Sequence, residues 1–232
     1  MNPKLVVLSG AGISAESGIK TFRDAGGLWE GFDVMDVASI SGWNNNPGLV
    51  LDFYNQRRRQ LLQCNPNKAH FILKDFENFF DVCIVTQNVD DLHERAGNKQ
   101  IIHLHGELLK SQSTIDPTLI YTCTKDILPG DLCEKASQLR PYIVWFGEEV
   151  PLISLAAQKV SEAELVIVVG TSLQVYPAAG LISFAKKYTP IYYIDPKPSL
   201  NFEISRQQNL EIIPEIASVG LSMLYPRLTQ QI

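Results

Sequence analysis

Residues 4–23 read KLVVLSGAGISAESGIKTFR, a short apolar run that leads into a glycine-rich turn. The run at residues 5–8 suits a buried parallel strand. Gly10, Gly12 and Ala15 then follow the pattern G-x-G-x-x-A. In such a turn the bare backbone can approach a pyrophosphate, and a following helix N-terminus offers free N–H groups to the anion. We predict a dinucleotide-binding loop, because a plain strand–helix turn would not need the polar side chains that lie between residues 14 and 23.

The composition limits the classes of protein to consider. The chain has 232 residues, 45% of them hydrophobic and 19% charged, which allows a large core in one or two domains. The net charge of −5 argues against nucleic acid or an anionic membrane as a partner. No apolar run approaches the length of a membrane span, and the N-terminal run is too short for a signal sequence. We therefore expect the four scattered cysteines to be free thiols in a reducing cytoplasm.

Alternating strands and helices predict the fold. Five further apolar runs resemble buried strands, at residues 82–86, 101–104, 165–169, 191–194 and 210–213. Helical periodicity lies between several of them, at residues 48–63, 66–79, 153–164 and 177–188. This order predicts an α/β fold with a Rossmann-like, doubly wound parallel sheet, in which ligands bind at the carboxyl ends of the strands.

Two stretches interrupt the alternation and predict a second, smaller domain. Residues 26–74 are helical and rich in aromatic side chains, whereas residues 106–140 have little periodicity. We expect these insertions to fold together beside the sheet, which residues 1–25, 75–105 and 141–232 would form. The cleft between the two domains would then be lined by the glycine loop and by both insertions.

Polar residues follow four of the predicted strands and indicate a site. They are Gln87, Asn88 and Asp90 after the second strand, His105 after the third, Gly170, Thr171 and Ser172 after the fourth, and Asp195 after the fifth. One such case is ordinary turn chemistry, but four at one edge of a sheet favour a binding site. Asn88 and Asp90 can hydrogen-bond an amide and a ribose.

His105 is the best candidate for acid–base chemistry, because an imidazole titrates near neutrality. His103 would face the same side of its strand, but we interpret it as structural, and His70 and His93 as structural or exposed. The position of His105 at a strand end, directly before Gly106, favours a functional role.

Five motifs together resemble those of the sirtuins, which are NAD-dependent protein-lysine deacylases. They are GAGISAESGIKTFR at 10–23, TQNVDDLHERAG at 86–97, LHGE at 104–107, IVWFGE at 143–148 and GTSLQVYPAAG at 170–180. Their order and spacing match over almost the whole chain. GIKTFRDAGGLWE and FYNQRRRQL further resemble the bacterial class III sirtuins.

The resemblance implies a mechanism that consumes NAD. The nicotinamide–ribose bond is cleaved and the acyl-lysine carbonyl oxygen attacks the ribose carbon. His105 is expected to act as general base on a ribose hydroxyl, and water then releases lysine and O-acyl-ADP-ribose. Asn88 is expected to take part in catalysis by positioning the nicotinamide and ribose together with Asp90.

The resemblance also implies the binding residues. The expected NAD contacts are Gly10, Ala11, Gly12, Ser14, Glu16, Thr21, Phe22, Arg23, Trp29, Gln87, Asn88, Val89, Asp90, Gly170, Thr171, Ser172, Asp195 and Ala217. The expected contacts to the substrate peptide, which would pair as an added strand, are Val144, Phe146, Gly147, Glu148 and Val175. Asp195 departs from the family pattern, which often has Asn at this position. A carboxylate can also accept hydrogen bonds from the hydroxyls of the adenosine ribose.

Tyr54 and Arg57 indicate which acyl group is bound. At a spacing of i and i+3 they share one helix face, where a phenol and a guanidinium can grip a carboxylate. Class III sirtuins use this pair for succinyl- and malonyl-lysine. The alternative is that residues 57–59, three arginines in a row, form one solvated basic face.

The four zinc cysteines that most sirtuins carry are not present in this sequence. Only Cys123 and Cys133 lie in the second insertion, which contains no histidine, so we predict no zinc. We expect packing to stabilise this segment instead, through Ile115, Leu119, Ile120, Tyr121, Ile127, Leu128 and Leu132.

Three other functions compete with deacylation. A Rossmann-type oxidoreductase would need its own acid–base pair and an acidic residue at the end of the second strand of its first βαβ unit. An NAD-binding sensor without turnover and an ADP-ribosyltransferase would use the same cofactor pocket. The products distinguish these functions. O-acyl-ADP-ribose indicates deacylation, NADH indicates an oxidoreductase, and unconsumed NAD indicates a sensor.

Overall fold

The structure is a computed structural model that describes residues 2–20, 28–29 and 31–230. The predicted NAD contacts Thr21, Phe22 and Arg23 lie outside the described residues. The strands, in chain order, are β1 Lys4–Ser9, β2 Leu28–Trp29, β3 Phe32–Asp33, β4 Asp81–Thr86, β5 Ile101–His103, β6 Gly106–Ser113, β7 Ile120–Thr122, β8 Leu139–Ile143, β9 Leu165–Val169, β10 Ile191–Ile194 and β11 Leu210–Ile213. The α-helices are α1 Val34–Val37, α2 Ile40–Asn45, α3 Pro47–Leu61, α4 Lys68–Phe76, α5 Leu92–Arg95, α6 Ile153–Glu162, α7 Phe202–Ser205 and α8 Ala217–Thr229.

A six-stranded parallel sheet in the order β11-β10-β9-β1-β4-β5 confirms the predicted fold class. The chain builds outward from β1 through β4 to β5, and then crosses to the other side of β1 to add β9, β10 and β11. The strand order therefore reverses between β1 and β9. In open α/β sheets such a reversal point is where ligands bind, beyond the carboxyl ends of the strands.

Both faces of the sheet are apolar and covered, as a parallel sheet requires. Along β1, Leu5 and Val7 point into a cluster formed with α4 and α8, whereas Val6 and Leu8 point into a cluster formed with α6 and residues 178–182. The period of two along an extended strand produces this division. The strand ends at the carboxyl edge are thereby held by a core on each side.

Two predicted helices have a different form in the structure. The glycine turn is followed by two 3₁₀ helices, Ala11–Ile13 and Ala15–Ser17, and not by an α-helix. Gly18 ends the second of them in the left-handed conformation (φ 88°), which leaves too few residues for an α-helix. The predicted helix at 177–188 is a 3₁₀ helix, Ala178–Phe184.

The two insertions share one hydrophobic cluster. Val50 and Phe53 of α3 pack with Leu108 of β6 and Ile143 of β8. The second insertion contains an antiparallel sheet in the order β7-β6-β8, which its aperiodic sequence did not predict. The domain boundaries stay a prediction, but a boundary at residue 74 cuts through α4, which packs on the large sheet with α8. We therefore propose to place this boundary before Asn67, the N-cap of α4.

The prediction that apolar packing stabilises the second insertion is wrong for most of the residues named. Ile127 is buried, but Ile115, Leu128 and Leu132 are each more than half exposed, and Ile120 is also exposed. Polar contacts stabilise the segment in addition to the packing of Leu108. The buried Asn55 of α3 donates from Nδ2 to the Ile127 carbonyl and accepts from the Ile127 amide, at 2.9 Å each. Because these bonds satisfy both backbone groups of a buried residue, they attach the insertion to α3.

In the part of the chain that the structure describes, no helix has the length and apolar character needed to cross a membrane.

Candidate active site

Two glycine-containing loops meet at the reversal point of the sheet. The Gly12 amide donates to the Gly170 carbonyl at 2.8 Å, and Gly10 donates to Val169 at 3.2 Å. A Cβ added to Gly10 would lie 2.7 Å from the Thr171 side chain, and one added to Gly12 would lie 2.7 Å from Gly170 Cα. The close approach of the loop after β1 to the loop after β9 therefore requires these glycines, before any ligand is considered.

A buried polar cluster lies beside these loops. Ser14 Oγ donates to Asp90 Oδ2 at 2.9 Å and accepts from Asn88 Nδ2 at 3.1 Å. The other Asp90 oxygen accepts from the Leu92 amide. All three clustered side chains are nearly inaccessible to solvent, and burial raises the pKa of Asp90. The structure thus brings together Ser14, Asn88 and Asp90, which the sequence placed at the same site.

His105 lies next to this cluster with a defined tautomer. Its Nδ1 is 3.0 Å from the Gln87 carbonyl oxygen, which can only accept a hydrogen bond. Nδ1 must therefore carry the proton, which leaves Nε2 as the basic nitrogen when the ring is neutral. Burial lowers the pKa of His105 from its ordinary value, so the neutral form predominates at pH 7. A neutral imidazole with a free basic nitrogen is what a general base requires.

His103 has a supporting position. Its Nδ1 lies 3.2 Å from the Asn88 carbonyl oxygen, and its Nε2 lies 2.7 Å from Glu94 Oε1. Burial is the largest single influence and disfavours its charged form, but the hydrogen bond and charge of Glu94, the charge of Glu107 and the Asn88 carbonyl together raise the pKa of His103. In the protonated ring both nitrogens donate, and Nδ1 binds the backbone of the catalytic candidate Asn88.

The remaining histidines are buried as a pair. The rings of His70 and His93 lie 4.9 Å apart, and His93 Nε2 is 3.1 Å from Ser9 Oγ at the end of β1. Burial lowers the pKa of both, that of His70 to about 4. They therefore remain neutral at pH 7.

The outer part of the expected NAD pocket is held by polar contacts. Gln87 Nε2 donates to Thr171 Oγ1 at 3.0 Å, which joins the loops after β4 and β9. Glu16 does not point freely into a pocket, because it accepts from the Ser218 amide at 3.0 Å at the start of α8. Asp195 is buried after β10 and accepts from the Lys197 amide at 2.9 Å. Three further expected contacts, Ala11, Ser172 and Ala217, belong to the loops after β1 and β9 and to the first turn of α8.

A cavity of about 50 Å³ lies between the polar cluster and the insertions. Tyr54 and Arg57 of α3 line it together with Trp29, Val89 and Asp90. The ring of Trp29 packs edge-on against Phe53 and Tyr54. The two residues predicted to bind an acyl carboxylate therefore line the same cavity as residues predicted to bind NAD.

The three consecutive arginines do not form one solvated face. Arg57 lines the cavity, whereas Arg58 is fully buried and donates to the Leu108 carbonyl and to Asn55 Oδ1. Arg59 forms an ion pair with Asp126 at the surface. Successive helical residues are rotated by 100°, so the three guanidinium groups have different surroundings.

Some backbone groups of the segment expected to pair with the substrate peptide already form hydrogen bonds within the protein. The Val144 and Phe146 amides donate to the carbonyls of His105 and Ala38, at 2.9 Å each. The Glu148 carboxylate is bound by Arg140 Nη1 and Nη2, at 2.7 and 2.9 Å. A substrate strand would therefore have to use the other backbone groups of this segment.

The backbone around the predicted peptide contacts turns sharply. Gly147 is exposed and has a φ of 93°, which allows the turn between Trp145 and Glu148. Val175 is half-buried in the loop before the 3₁₀ helix Ala178–Phe184, and its carbonyl accepts from Ala179.

Two polar or aromatic residues around the cavity, Lys20 and Trp145, were not assigned a role from the sequence. Lys20 lines the cavity and stands within the motif GAGISAESGIKTFR, from which only NAD contacts were predicted. Trp145 donates from Nε1 to the Tyr54 hydroxyl at 3.1 Å. The motif IVWFGE contains this tryptophan, but nothing local in the sequence places it next to a residue 91 positions earlier.

Among the residues that the structure describes, no three His, Cys, Asp or Glu side chains are grouped so that they could hold a metal ion. Cys133 Sγ donates to Ser113 Oγ at 3.3 Å, and Cys123 Sγ donates to the Lys125 carbonyl. The absence of zinc stays a prediction.

Comparison with known proteins identifies the family. A family model described as the Sir2 family matches residues 10–177. An NAD-dependent protein deacylase of Helicobacter pylori is 58% identical over 226 residues, which cover 97% of this chain and 95% of that protein. A protein with the same name from Bacteroides thetaiotaomicron is 47% identical and covers 95% of both chains.

Solved structures agree with this assignment. A complex of a Sir2 homologue with NAD has a TM-score of 0.87 and 34% identity, covering 99% of this chain and 91% of that chain. A complex of a Sir2 homologue with ADP-ribose has a TM-score of 0.89, also at 34% identity, covering 99% and 93%. The fold, the buried polar site and these similarities agree, and the chain belongs to the Sir2 family.

Proposed function

We propose that this protein is an NAD-dependent protein-lysine deacylase. The observation that carries the proposal is the position of His105, whose basic Nε2 belongs to a neutral ring next to the Ser14–Asn88–Asp90 cluster. Relatives that are 58% and 47% identical bear the name NAD-dependent protein deacylase.

The residues present fit NAD as the co-substrate. The glycine loop lies at the reversal point of the sheet, beside the Gly170 loop, which is where folds of this kind bind a dinucleotide. Asn88 and Asp90 offer buried polar atoms for the nicotinamide and its ribose. When bound, NAD would supply a ribose carbon from which nicotinamide leaves as the acyl oxygen adds, and His105 Nε2 could then accept a proton from a ribose hydroxyl.

A panel of acyl-lysine peptides tests this function. We expect nicotinamide and O-acyl-ADP-ribose from the wild type, and a loss of at least 100-fold in His105→Tyr, the contribution of a general base. Formation of NADH would support an oxidoreductase, and acceptor protein that carries ADP-ribose would support ADP-ribosyl transfer. Unchanged NAD in the presence of every peptide would support a sensor.

We further propose that the enzyme accepts succinyl- and malonyl-lysine as well as acetyl-lysine. The support is the cavity lined by Tyr54 and Arg57, in which a phenol and a guanidinium flank the same space. An acyl carboxylate could accept charge-assisted hydrogen bonds there, each of which contributes about 1.5–3 kcal/mol.

Arg57→Met tests the acyl preference, with Arg59→Met as its matched control. Both variants remove one positive charge from α3, but Arg59 pairs with Asp126 at the surface and not with the cavity. We expect Arg57→Met to lower kcat/KM for succinyl peptide by about 10- to 100-fold and to leave acetyl peptide nearly unchanged. Equal losses on both peptides, or the same effect in Arg59→Met, would contradict this proposal.

We also propose that the second insertion folds without zinc and that the protein works in a reducing cytoplasm. The hydrogen bonds from Asn55 to Ile127 provide a non-metal attachment, and all four cysteines are free thiols. Elemental analysis of the purified protein should give much less than one zinc per chain, and stoichiometric zinc would refute the proposal.

A further inference from the structure

Trp145 lies behind the cavity and contacts Tyr54 directly. The indole is 2% exposed, and its Nε1 donates to the Tyr54 hydroxyl oxygen at 3.1 Å. Tyr54 is 1% exposed and lines the cavity together with Arg57, whereas Trp145 does not line it. The tyrosine thus connects the tryptophan with the space proposed for the acyl group.

The donor of this hydrogen bond determines where the Tyr54 proton can point. An indole N–H can only donate, so the Tyr54 oxygen must accept from Trp145. Burial raises the pKa of Tyr54, so the phenol keeps its own proton. With one side of the oxygen occupied by the indole, that proton is directed away from Trp145 and can be donated to an acceptor such as a carboxylate.

The indole itself is held in place by charged groups. The Arg140 guanidinium lies over the Trp145 ring, 3.5 Å from its centroid, and binds the Glu148 carboxylate with two nitrogens. Glu148 Oε2 also accepts from the Trp145 amide at 2.8 Å. The ring of Trp43 packs against the indole at 5.4 Å. These contacts restrict the rotation of the side chain that donates to Tyr54.

We infer that Trp145 is a positioning residue for acyl selectivity, which orients the Tyr54 hydroxyl so that its proton faces the acyl carboxylate. The inference rests on the proposed acyl pocket. In this role Trp145 is held by Arg140 and Glu148. The contact between Trp145 and Tyr54 then connects the segment expected to bind the substrate peptide with a residue expected to select the acyl group.

Trp145→Phe is the test, because phenylalanine keeps an aromatic ring and removes the N–H. We expect the ratio of kcat/KM for succinyl over acetyl peptide to fall about 3- to 10-fold, the range for one buried hydrogen bond. The fall should come mainly from KM for the succinyl peptide. The control is Trp43→Phe, which alters the same aromatic cluster without removing the donor to Tyr54 and should leave the ratio unchanged.

A double-mutant cycle with Tyr54→Phe separates positioning from packing. Once the hydroxyl is absent, Trp145→Phe should have little further effect on the ratio, because there is no proton left to orient. Equal losses for both peptides, or an additive effect in the double variant, would overturn the inference. If Tyr54→Phe and Arg57→Met leave the ratio unchanged, the proposed acyl pocket is itself wrong, which is a different outcome.

The wild-type protein provides a second measurement if Trp145→Phe does not fold. The chain has three tryptophans, so three indole N–H signals can be followed by ¹⁵N NMR and assigned with Trp29→Phe and Trp43→Phe. Without NAD, so that no turnover occurs, succinyl peptide should shift the Trp145 signal more than acetyl peptide does. Equal shifts with both peptides would overturn the inference.

Discussion

The two walls of the cavity are built in different ways. The sheet wall is defined as Ser14, Asn88, Asp90 and His105; Asp90 lines the cavity, and the four residues follow parallel strands whose two faces are packed in apolar clusters. The insert wall is defined as Trp29, Tyr54, Arg57 and Trp145, of which all but Trp145 line the cavity. It combines an apolar cluster with hydrogen bonds from Asn55 and Arg58 to distant backbone groups and from Trp145 to the Tyr54 hydroxyl.

This difference separates chemistry from selectivity. We proposed that groups on the sheet wall bind the parts of NAD and acyl-lysine that every substrate shares, so their removal should affect all acyl groups alike. We proposed that Tyr54 and Arg57 on the insert wall bind the part of the acyl chain that varies, so their removal should change a ratio between substrates. Each prediction below tests one side of this comparison.

The largest effect is expected on the sheet wall, for Asn88→Ala. Loss of the amide removes the bond to Ser14 Oγ and the proposed contact to the nicotinamide. We expect kcat/KM to fall about 100- to 1,000-fold for succinyl and acetyl peptides alike, the range for one preorganised donor. Asn98→Ala, a buried asparagine that bonds to His70 and His93 backbone groups, is the control and should retain activity below its melting temperature. A change in the succinyl-to-acetyl ratio would contradict the division between the walls.

Asn55→Ala tests how the insert wall is held. It leaves the buried amide and carbonyl of Ile127 without their partner and also removes an acceptor from Arg58. We expect the free energy of unfolding to fall by about 2–4 kcal/mol in chemical denaturation. Gln56→Ala, which removes only an exposed bond to Asp52, should change it by less than about 0.5 kcal/mol. Similar values for the two variants would show that apolar packing holds the insertion after all.

The pH dependence of the rate tests the sheet wall without a substitution. His105 must be neutral to act as a base, and burial holds its pKa below the ordinary value of 6.5. Lowering the pH from 8 should therefore leave kcat/KM for acetyl peptide constant past pH 6.5. Below the His105 pKa the value should fall about tenfold per pH unit as the ring becomes protonated. A midpoint above pH 6.5 would contradict the assignment.

Lys20→Ala should have the smallest effect on kcat/KM. Like the variants of the insert wall, it should change the succinyl-to-acetyl ratio. The side chain is exposed at the rim of the cavity, where a charge contributes about 0.2–1 kcal/mol because water screens it. We expect kcat/KM for succinyl peptide to fall about 1.5- to 5-fold, with no change for acetyl peptide. Raising the salt concentration should reduce the difference between variant and wild type. An equal loss on both peptides would assign Lys20 to NAD binding instead.

The sheet wall could be predicted from sequence because its signals are local. An apolar run of four or five residues followed by polar side chains defines both a buried strand and its end, and parallel pairing of β4 with β5 then brings the residues after these strands to one edge of the sheet. The glycine pattern predicted a close approach of backbone. It did not reveal that the partner is the Gly170 loop or that the following turns are 3₁₀.

The insert wall could be predicted only in part. Tyr54 and Arg57 share a helix face by their spacing, but the roles of Arg58 and Arg59 depend on Leu108 and Asp126, which are 50 and 67 residues away. The apolar residues named in the second insertion indicated a core, yet most of them are exposed, and the buried contacts to α3 come from Leu108 and from the hydrogen bonds between Asn55 and Ile127. Such long-range polar contacts leave no periodic pattern in the sequence.

The central claim is that the insert wall selects the acyl group while the sheet wall performs the chemistry. An internal competition tests it most directly: one reaction contains NAD and equal amounts of succinyl and acetyl peptides, and mass spectrometry follows both products. Arg57→Met should lower the succinyl-to-acetyl product ratio at least tenfold relative to wild type, whereas Asn88→Ala should slow both products and keep the wild-type ratio. An unchanged ratio in Arg57→Met would contradict the account.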